Sequence, residues 1–180
     1  NRWTEWIGIS GRLRPEYAAE FITDNEIQAL IDERKHVAAD FRGRLVPKAK
    51  RGHSEADLDI KGYTGTEFRI IVRRANANPL DFSVILGYRV PVSNQVLRLR
   101  RYNGKSHQHT NPIEGQRFYD FHIHTATERY QRTGNREDVY AVATDRYDSL
   151  EAAVGCFIED CNVVFPDEPQ MGLFDSGGIR

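Results

Sequence analysis

Three runs of alternating apolar and polar residues, joined by very short connections, constrain this chain more than any other feature. They are 67–75 (EFRIIVRRA), 81–91 (DFSVILGYRVP) and 95–102 (QVLRLRRY). β-Branched and aromatic residues dominate them, which suits a pleated, half-buried surface. Turn-forming residues separate them, Asn76-Ala77-Asn78-Pro79 and then Pro91-Val92-Ser93-Asn94. Links this short cannot carry a parallel crossover, so the strands must form an antiparallel meander. A fourth run, 117–129 (RFYDFHIHTATER), extends the pattern after a longer connection.

Two stretches show the helical period instead. Thr23-Asp24-Asn25-Glu26 is a reciprocal capping pattern, followed by Ile27, Leu30, Ile31, Arg34 and Ala38 at helical spacing. This predicts a helix from 22 or 23 to 40. Asp148-Ser149-Leu150-Glu151 opens a second helix over 148–161, with Leu150, Ala153, Val154, Phe157, Ile158 and Cys161 in one stripe. Residues 42–66 are the least regular. Arg42, Arg44, Lys48, Lys50 and Arg51 cluster there around Gly43 and Pro47, which reads as a basic loop or short ribbon. The expected architecture is a single two-layer α+β domain over 1–165. An antiparallel meander of four to five strands (67–130) packs both helices on one face. A Pro-, Gly- and acid-rich tail follows over 166–180.

With 180 residues, 39% of them hydrophobic, the chain can bury a core and is no disordered polymer. No stretch approaches the roughly 18 apolar residues of a membrane helix. The start lacks the basic-then-apolar order of a secretory leader. No membrane partner is expected. Cys156 and Cys161 stand five apart on one predicted helix and point in different directions. They should form no disulfide, in keeping with a cytoplasmic protein.

The net charge of -1 conceals a segregation: residues 42–105 carry +9, against -3 before them and -7 after them. With the apolar sets of each strand turned toward the helices, the opposite face gathers Arg69, Arg73, Arg89, Arg98, Arg100, His122, His124 and Glu128. Tyr63, Tyr88, Tyr102, Tyr119 and Tyr130 lie among the cations. Cations interleaved with rings suit single-stranded nucleic acid, RNA ahead of DNA. A solvated strand face also carries Arg and Lys with no partner in view. No RNA-recognition-motif, helix-turn-helix or zinc-finger pattern is present.

Four of the six histidines form two His-x-His pairs, His107/His109 and His122/His124, offset by 15 residues. Three readings fit them. They are ordinary surface histidines. They bind a metal such as zinc, one His-x-His pair chelating it and a third ligand coming from Glu114, Glu128 or the other pair, which in the last case puts it at His107, His109, His122 and His124. Or they exchange protons with a phosphate substrate, without a cofactor, while Arg98, Arg100 and Arg101 hold the phosphate. The last combination suits RNA cleavage with the 2′-hydroxyl as nucleophile.

The run Leu97-Arg98-Leu99-Arg100-Arg101-Tyr102-Asn103-Gly104, then His107 and His109, then Phe121 to Tyr130, resembles an uncharacterised prokaryotic family of about this size. More distantly it resembles TumE-type toxins of toxin–antitoxin pairs, over roughly residues 80–160. In those toxins a strand ends in a basic residue, an aromatic or Asp, and Asn. A His-rich turn, a second His-x-His and a helix near a Leu-Glu follow, here Leu150-Glu151. Tyr102-Asn103 stands where the toxins favour Asp-Asn, and the first 65 residues have no counterpart in them. The resemblance implies that the His pairs are the site and that the partner is an antitoxin-like protein.

The leading expectation is therefore an intracellular nucleic-acid-acting protein, a toxin-like metal-independent ribonuclease. His107, His109, His122, His124 and Glu128 would be its catalytic set. Arg98, Arg100, Arg101, Tyr102, Asn103, Lys105 and Arg129 would bind the nucleic acid, and Glu128 and Arg129 would orient the site. The alternatives are a non-catalytic binding module of a defence or toxin–antitoxin system, and a metal-binding structural protein. In the tail, Gln170-Met171-Gly172-Leu173-Phe174 resembles the short peptide that binds the bacterial sliding clamp, through Gln170, Leu173 and Phe174. The same residues also suit packing on the protein's own surface.

Overall fold

The structure is a computed structural model that describes residues 21–93 and 95–166. Gln170, Leu173 and Phe174 of the clamp-like peptide lie outside these residues.

Four long strands form the centre of the main sheet: β3 (His53–Gly62), β4 (Glu67–Ala75), β5 (Phe82–Arg89) and β6 (Val96–Asn103). They pair antiparallel in sequence order, as their short connections require. Shorter strands widen the sheet to nine. β9 (His122–Thr125) adds to β6, and β10 (Ala141–Ala143) adds to β9. At the other end β1 (Lys35–His36) pairs with the end of β3, β11 (Val163–Val164) runs parallel to β1, and β2 (Lys48–Lys50) pairs with the start of β3. A separate ribbon of two strands, β7 (His109–Asn111) and β8 (Gln116–Phe118), stands apart from the main sheet.

The sheet is larger than the expected four to five strands for identifiable reasons. β3 lies in the stretch read as an irregular basic loop. Its own alternation is clear: Ala56, Leu58 and Ile60 are buried while Asp59 and Lys61 are exposed. The run 117–129 splits between β8 and β9, which belong to different sheets. The predicted helix over 22–40 stops early, as α1 (Asp24–Asp32). Glu33 then turns out to accept from the Thr64 backbone N–H (2.9 Å) and hydroxyl (2.7 Å). The chain next lays β1 between β3 and β11, so Arg34 and Ala38 never join a helical stripe.

Helix α1 begins on the expected capping box, with Thr23 and Glu26 bonding reciprocally. Helix α4 (Leu150–Asp160) begins on Ser149, whose hydroxyl accepts from the Ala152 N–H. Both helices cover one face of the sheet. Ile27 and Ile31 of α1 share a core with Leu150, Ala153, Val154 and Phe157 of α4, and with Phe68, Ile70, Val84 and Leu86 of the central strands. The short α2 (Phe41–Arg44) adds Phe41 to that core, and α3 (Glu128–Arg132) buries Tyr130.

One irregularity decides which side chains reach the opposite face. In β6, Arg100 pairs with Leu86 and Arg98 with Gly87, leaving Leu99 as an extra residue in a β-bulge. The bulge resets the alternation of β6. Beyond it Arg100 and Tyr102 share the helix-covered face with Leu86 and Val84, while Arg101 and Asn103 take the opposite face with Ile85 and Ser83. This corrects the expectation that Arg100 and Tyr102 line the open face beside the histidines. Tyr102 is instead a core residue: its hydroxyl donates to Asp160 Oδ2 at 2.8 Å.

Candidate metal centre

Strand β9 aligns with β6 so that His124 pairs with Arg101 and His122 with Asn103. Both imidazoles therefore rise from the face opposite the helices. The β7–β8 ribbon brings His109 onto them. Its ring centroid lies 5.1 Å from that of His122 and 4.8 Å from that of His124, and the latter two rings are 4.9 Å apart. All three are buried, and one ring nitrogen from each lies within 4.8 Å of the other two. The two His-x-His pairs thus converge, but unequally. His107 touches the cluster edge-on, 5.7 Å from the His122 ring, and is exposed.

Each buried ring is tied from behind. His122 Nδ1 donates to the Asp120 carbonyl (2.7 Å), and His124 Nδ1 to the Asp138 carbonyl (2.9 Å). A carbonyl can only accept, so these two Nε2 atoms carry the lone pairs. For His109 the arrangement is reversed. Asn111 Oδ1 accepts from the Ala141 N–H (2.9 Å) while Asn111 Nδ2 donates to the Ala141 carbonyl (2.8 Å), which fixes the orientation of the amide. His109 Nε2 lies 2.9 Å from that Oδ1 and must be the donor, leaving its Nδ1 with the lone pair. Asn111 also locks the ribbon to edge strand β10.

Electrostatics keeps the rings neutral. Burial pushes His122 down to about 4 and depresses His124 further; burial and the Arg101 charge are the two largest causes for His124. Burial likewise lowers His109. Arg101 brings Nη2 to 3.1 Å from His124 Nδ1, whose proton is already committed to Asp138. Its Nε stands 3.0 Å from Asp138 Oδ2, off-line for a hydrogen bond, as an ion pair with a carboxylate that has no exposed surface. Arg136 pairs with the other Asp138 oxygen.

The remaining predicted site residues scatter. Glu128 pairs with Arg132, and Arg129 with Glu114, which also accepts from the Tyr130 hydroxyl. Neither Glu114 nor Glu128 joins the histidines. Lys105 pairs with Asp120 at 2.8 Å. Arg98 stays on the histidine side of the sheet, and its backbone N–H donates to Glu137. The expected basic face is largely neutralised from β3: Asp59 binds Arg69 and Arg89, and Glu55 binds Arg73. Asn103 does meet the cluster, with Nδ2 lying 3.3 Å from the Nε2 of both His122 and His124.

Three residues that support the site went unmarked in the sequence: Asn111, Asp138 and Tyr147. The Tyr147 hydroxyl bridges the carbonyls of Asn103 (3.0 Å) and His122 (2.8 Å), clamping β6 to β9 at the site. Single polar residues in loops or three-residue strands leave no periodic trace, so no pattern exposes them.

Fold and site together define an α+β domain whose outer sheet face carries a buried, neutral three-histidine cluster. The chain belongs to a family of unknown function, DUF6978, which it matches over residues 22–163. No curated protein and no solved structure matches it. Among the described residues, no helix is long and apolar enough to cross a membrane.

Proposed function

We propose that this protein holds a divalent first-row metal, with zinc the best fit, at His109, His122 and His124, and that the metal fastens the β7–β8 ribbon to the main sheet. One observation carries the reading: each imidazole is bonded through one ring nitrogen and keeps a lone pair on the other, and the three rings bring a nitrogen each within 4.8 Å of one another. Metal-binding histidines are held in this way, because the outer hydrogen bond fixes both tautomer and ring direction. Neutral imidazole is also the form a metal needs. His122 and His124 come from one strand and His109 from the ribbon, so one ion joins two elements that otherwise meet through few bonds.

The acid–base ribonuclease reading draws less support from the same geometry. A buried histidine that resists protonation near neutrality is a poor proton donor. Of the three arginines meant to hold phosphate, Arg101 is paired with Asp138 and Arg100 lies on the other face.

Metal analysis of the purified full chain tests the proposal. One zinc per chain is expected, retained through dialysis and lost in His122→Ala and His124→Ala. A wild-type chain that takes up no zinc, cobalt or nickel from solution overturns it.

A further inference from the structure

We infer that Asn103 is the fourth ligand of this centre, bound through its side-chain oxygen. The inference rests on the metal reading above and adds to it the residue that completes the coordination sphere.

Three imidazoles leave a tetrahedral ion one position short. Two atoms bound to one tetrahedral ion at about 2.1 Å stand about 3.4 Å apart, by the geometry of a tetrahedron. Asn103 places its terminal amide atom 3.3 Å from the Nε2 of His122 and 3.3 Å from the Nε2 of His124. That is the ligand-to-ligand spacing of such a site, met twice by one atom. The Asn103 side chain is also buried, 3% exposed, and its Oδ1 has no hydrogen-bond partner among the described residues. A half-turn about χ2 exchanges Oδ1 and Nδ2 and breaks no bond on the Oδ1 side. The exchange puts an oxygen lone pair where the amide N–H now points at the two ring nitrogens. The amide thus has two uses: as an N–H donor it keeps both rings in the ligating tautomer, and as a carbonyl it ligates.

The backbone around Asn103 holds it in place for this. Its own carbonyl accepts from Tyr147, and it pairs with His122 across the β6–β9 ladder. The histidine ligand atoms are spread over as much as 4.8 Å, so binding must draw them together. The β7–β8 ribbon carrying His109 lies outside the main sheet, so closing the site means shifting it against the bonds of Asn111 to Ala141 and of Glu114 to Arg129 and Tyr130. His107 is the rival fourth ligand. It is exposed, and its Nδ1 lies 3.1 Å from the Ser106 hydroxyl.

Cobalt(II) is the probe, because its visible spectrum distinguishes coordination numbers and its binding can be titrated. The full chain, Asn103→Leu, Asn103→Asp and His107→Ala are compared, with folding checked by circular dichroism. Wild type should give an intense four-coordinate spectrum. Asn103→Leu should bind about tenfold to a hundredfold more weakly, the range seen when one supporting group of a metal site is lost, with a changed spectrum as water enters. Asn103→Asp keeps an oxygen and adds charge, so it should bind at least as tightly as wild type and stay four-coordinate. It also serves if the leucine variant fails to fold. Unchanged affinity and spectrum in Asn103→Leu, or loss of four-coordination in Asn103→Asp, overturns the inference while the three-histidine site stands. A loss carried by His107→Ala instead overturns it in favour of His107. A wild-type chain that binds no cobalt removes the metal centre itself.

Discussion

Lys35 has no exposed surface, yet its ammonium is fully occupied. It donates to the carbonyls of Ile31 (2.8 Å), Glu33 (2.7 Å) and Cys161 (3.0 Å) and lies over the Phe68 ring. One side chain thereby satisfies the end of α1 and the end of α4 together. Lys35→Met should cost about 2–4 kcal/mol in denaturant unfolding, since three carbonyls, two of them buried, lose their donor. Burial also pulls the Lys35 pKa down to about 8. Its folded pKa lies below the unfolded value of about 10.4, so the unfolded chain binds more protons between them. The stability contributed at this position should therefore rise from about pH 8 to pH 10.4, and the rise should be missing in Lys35→Met. A parallel pH profile for the two proteins would refute that assignment. The histidines differ in legibility. Their pairing is written in the sequence, but their neutrality is not, because it comes from burial under elements brought up from elsewhere and from the Arg101 charge, against the opposing pull of the Asp120 and Asp138 carbonyls and Asn111. Cys161, pushed up to about 12 by burial, is an inert core thiol.

At the scale of elements, the end of β6 decides the site. Gly104 follows Asn103 in a space with no room for a side chain: a Cβ there would come within 2.0 Å of the Leu80 carbonyl oxygen. Gly104→Ala must push the strand end away from the 80–82 segment and with it the Asn103 amide. Thermal and denaturant unfolding should show a loss of about 1–3 kcal/mol, and metal affinity should fall in the same variant. The β7–β8 ribbon hangs on Asn111, which makes two bonds to Ala141 and one to His109. Asn111→Leu should leave the main sheet intact while raising amide exchange across 109–118 by one to two orders of magnitude, for bonds worth about 1 kcal/mol each. Uniform exchange changes over the whole chain would show instead that the ribbon is part of the main cooperative unit. The meander β4–β5–β6 and both capped helices were readable, because β4, β5 and the helices each obey one local period over eight or more residues and short turns bind β6 to them. β3 was readable too, but its period was masked by the basic residues leading into it. Strands β1, β2, β7, β10 and β11, of two or three residues, carry too little period to register.

For the whole molecule, the metal reading makes stability depend on a ligand. At a free metal concentration a hundred times Kd, the folded state gains about 2.7 kcal/mol by mass action, so a chelator should lower Tm and added zinc should restore it. His124→Ala should have a lower Tm that no longer responds to either. An unchanged wild-type Tm in chelator, with the metal shown to be gone, would separate binding from stabilisation. Charge tells a similar story at this scale. The +9 excess over 42–105 is real, but β3 supplies Glu55, Asp57 and Asp59 against the arginines of β4 and β5. A sum along the chain cannot see pairing across strands. The class of fold, the two capped helices and the meander follow from local pattern, because turn chemistry and side-chain periodicity act over a few residues. Which face a residue takes, and so whether Arg100 meets phosphate or helix, hangs on a single extra residue at Leu99 whose effect appears only when β5 and β6 pair. Likewise Asn103 becomes a partner of His122 and His124 only through the β6–β9 register. Long-range pairing places groups 19 and 21 residues apart within 3.3 Å, a proximity that no local pattern contains.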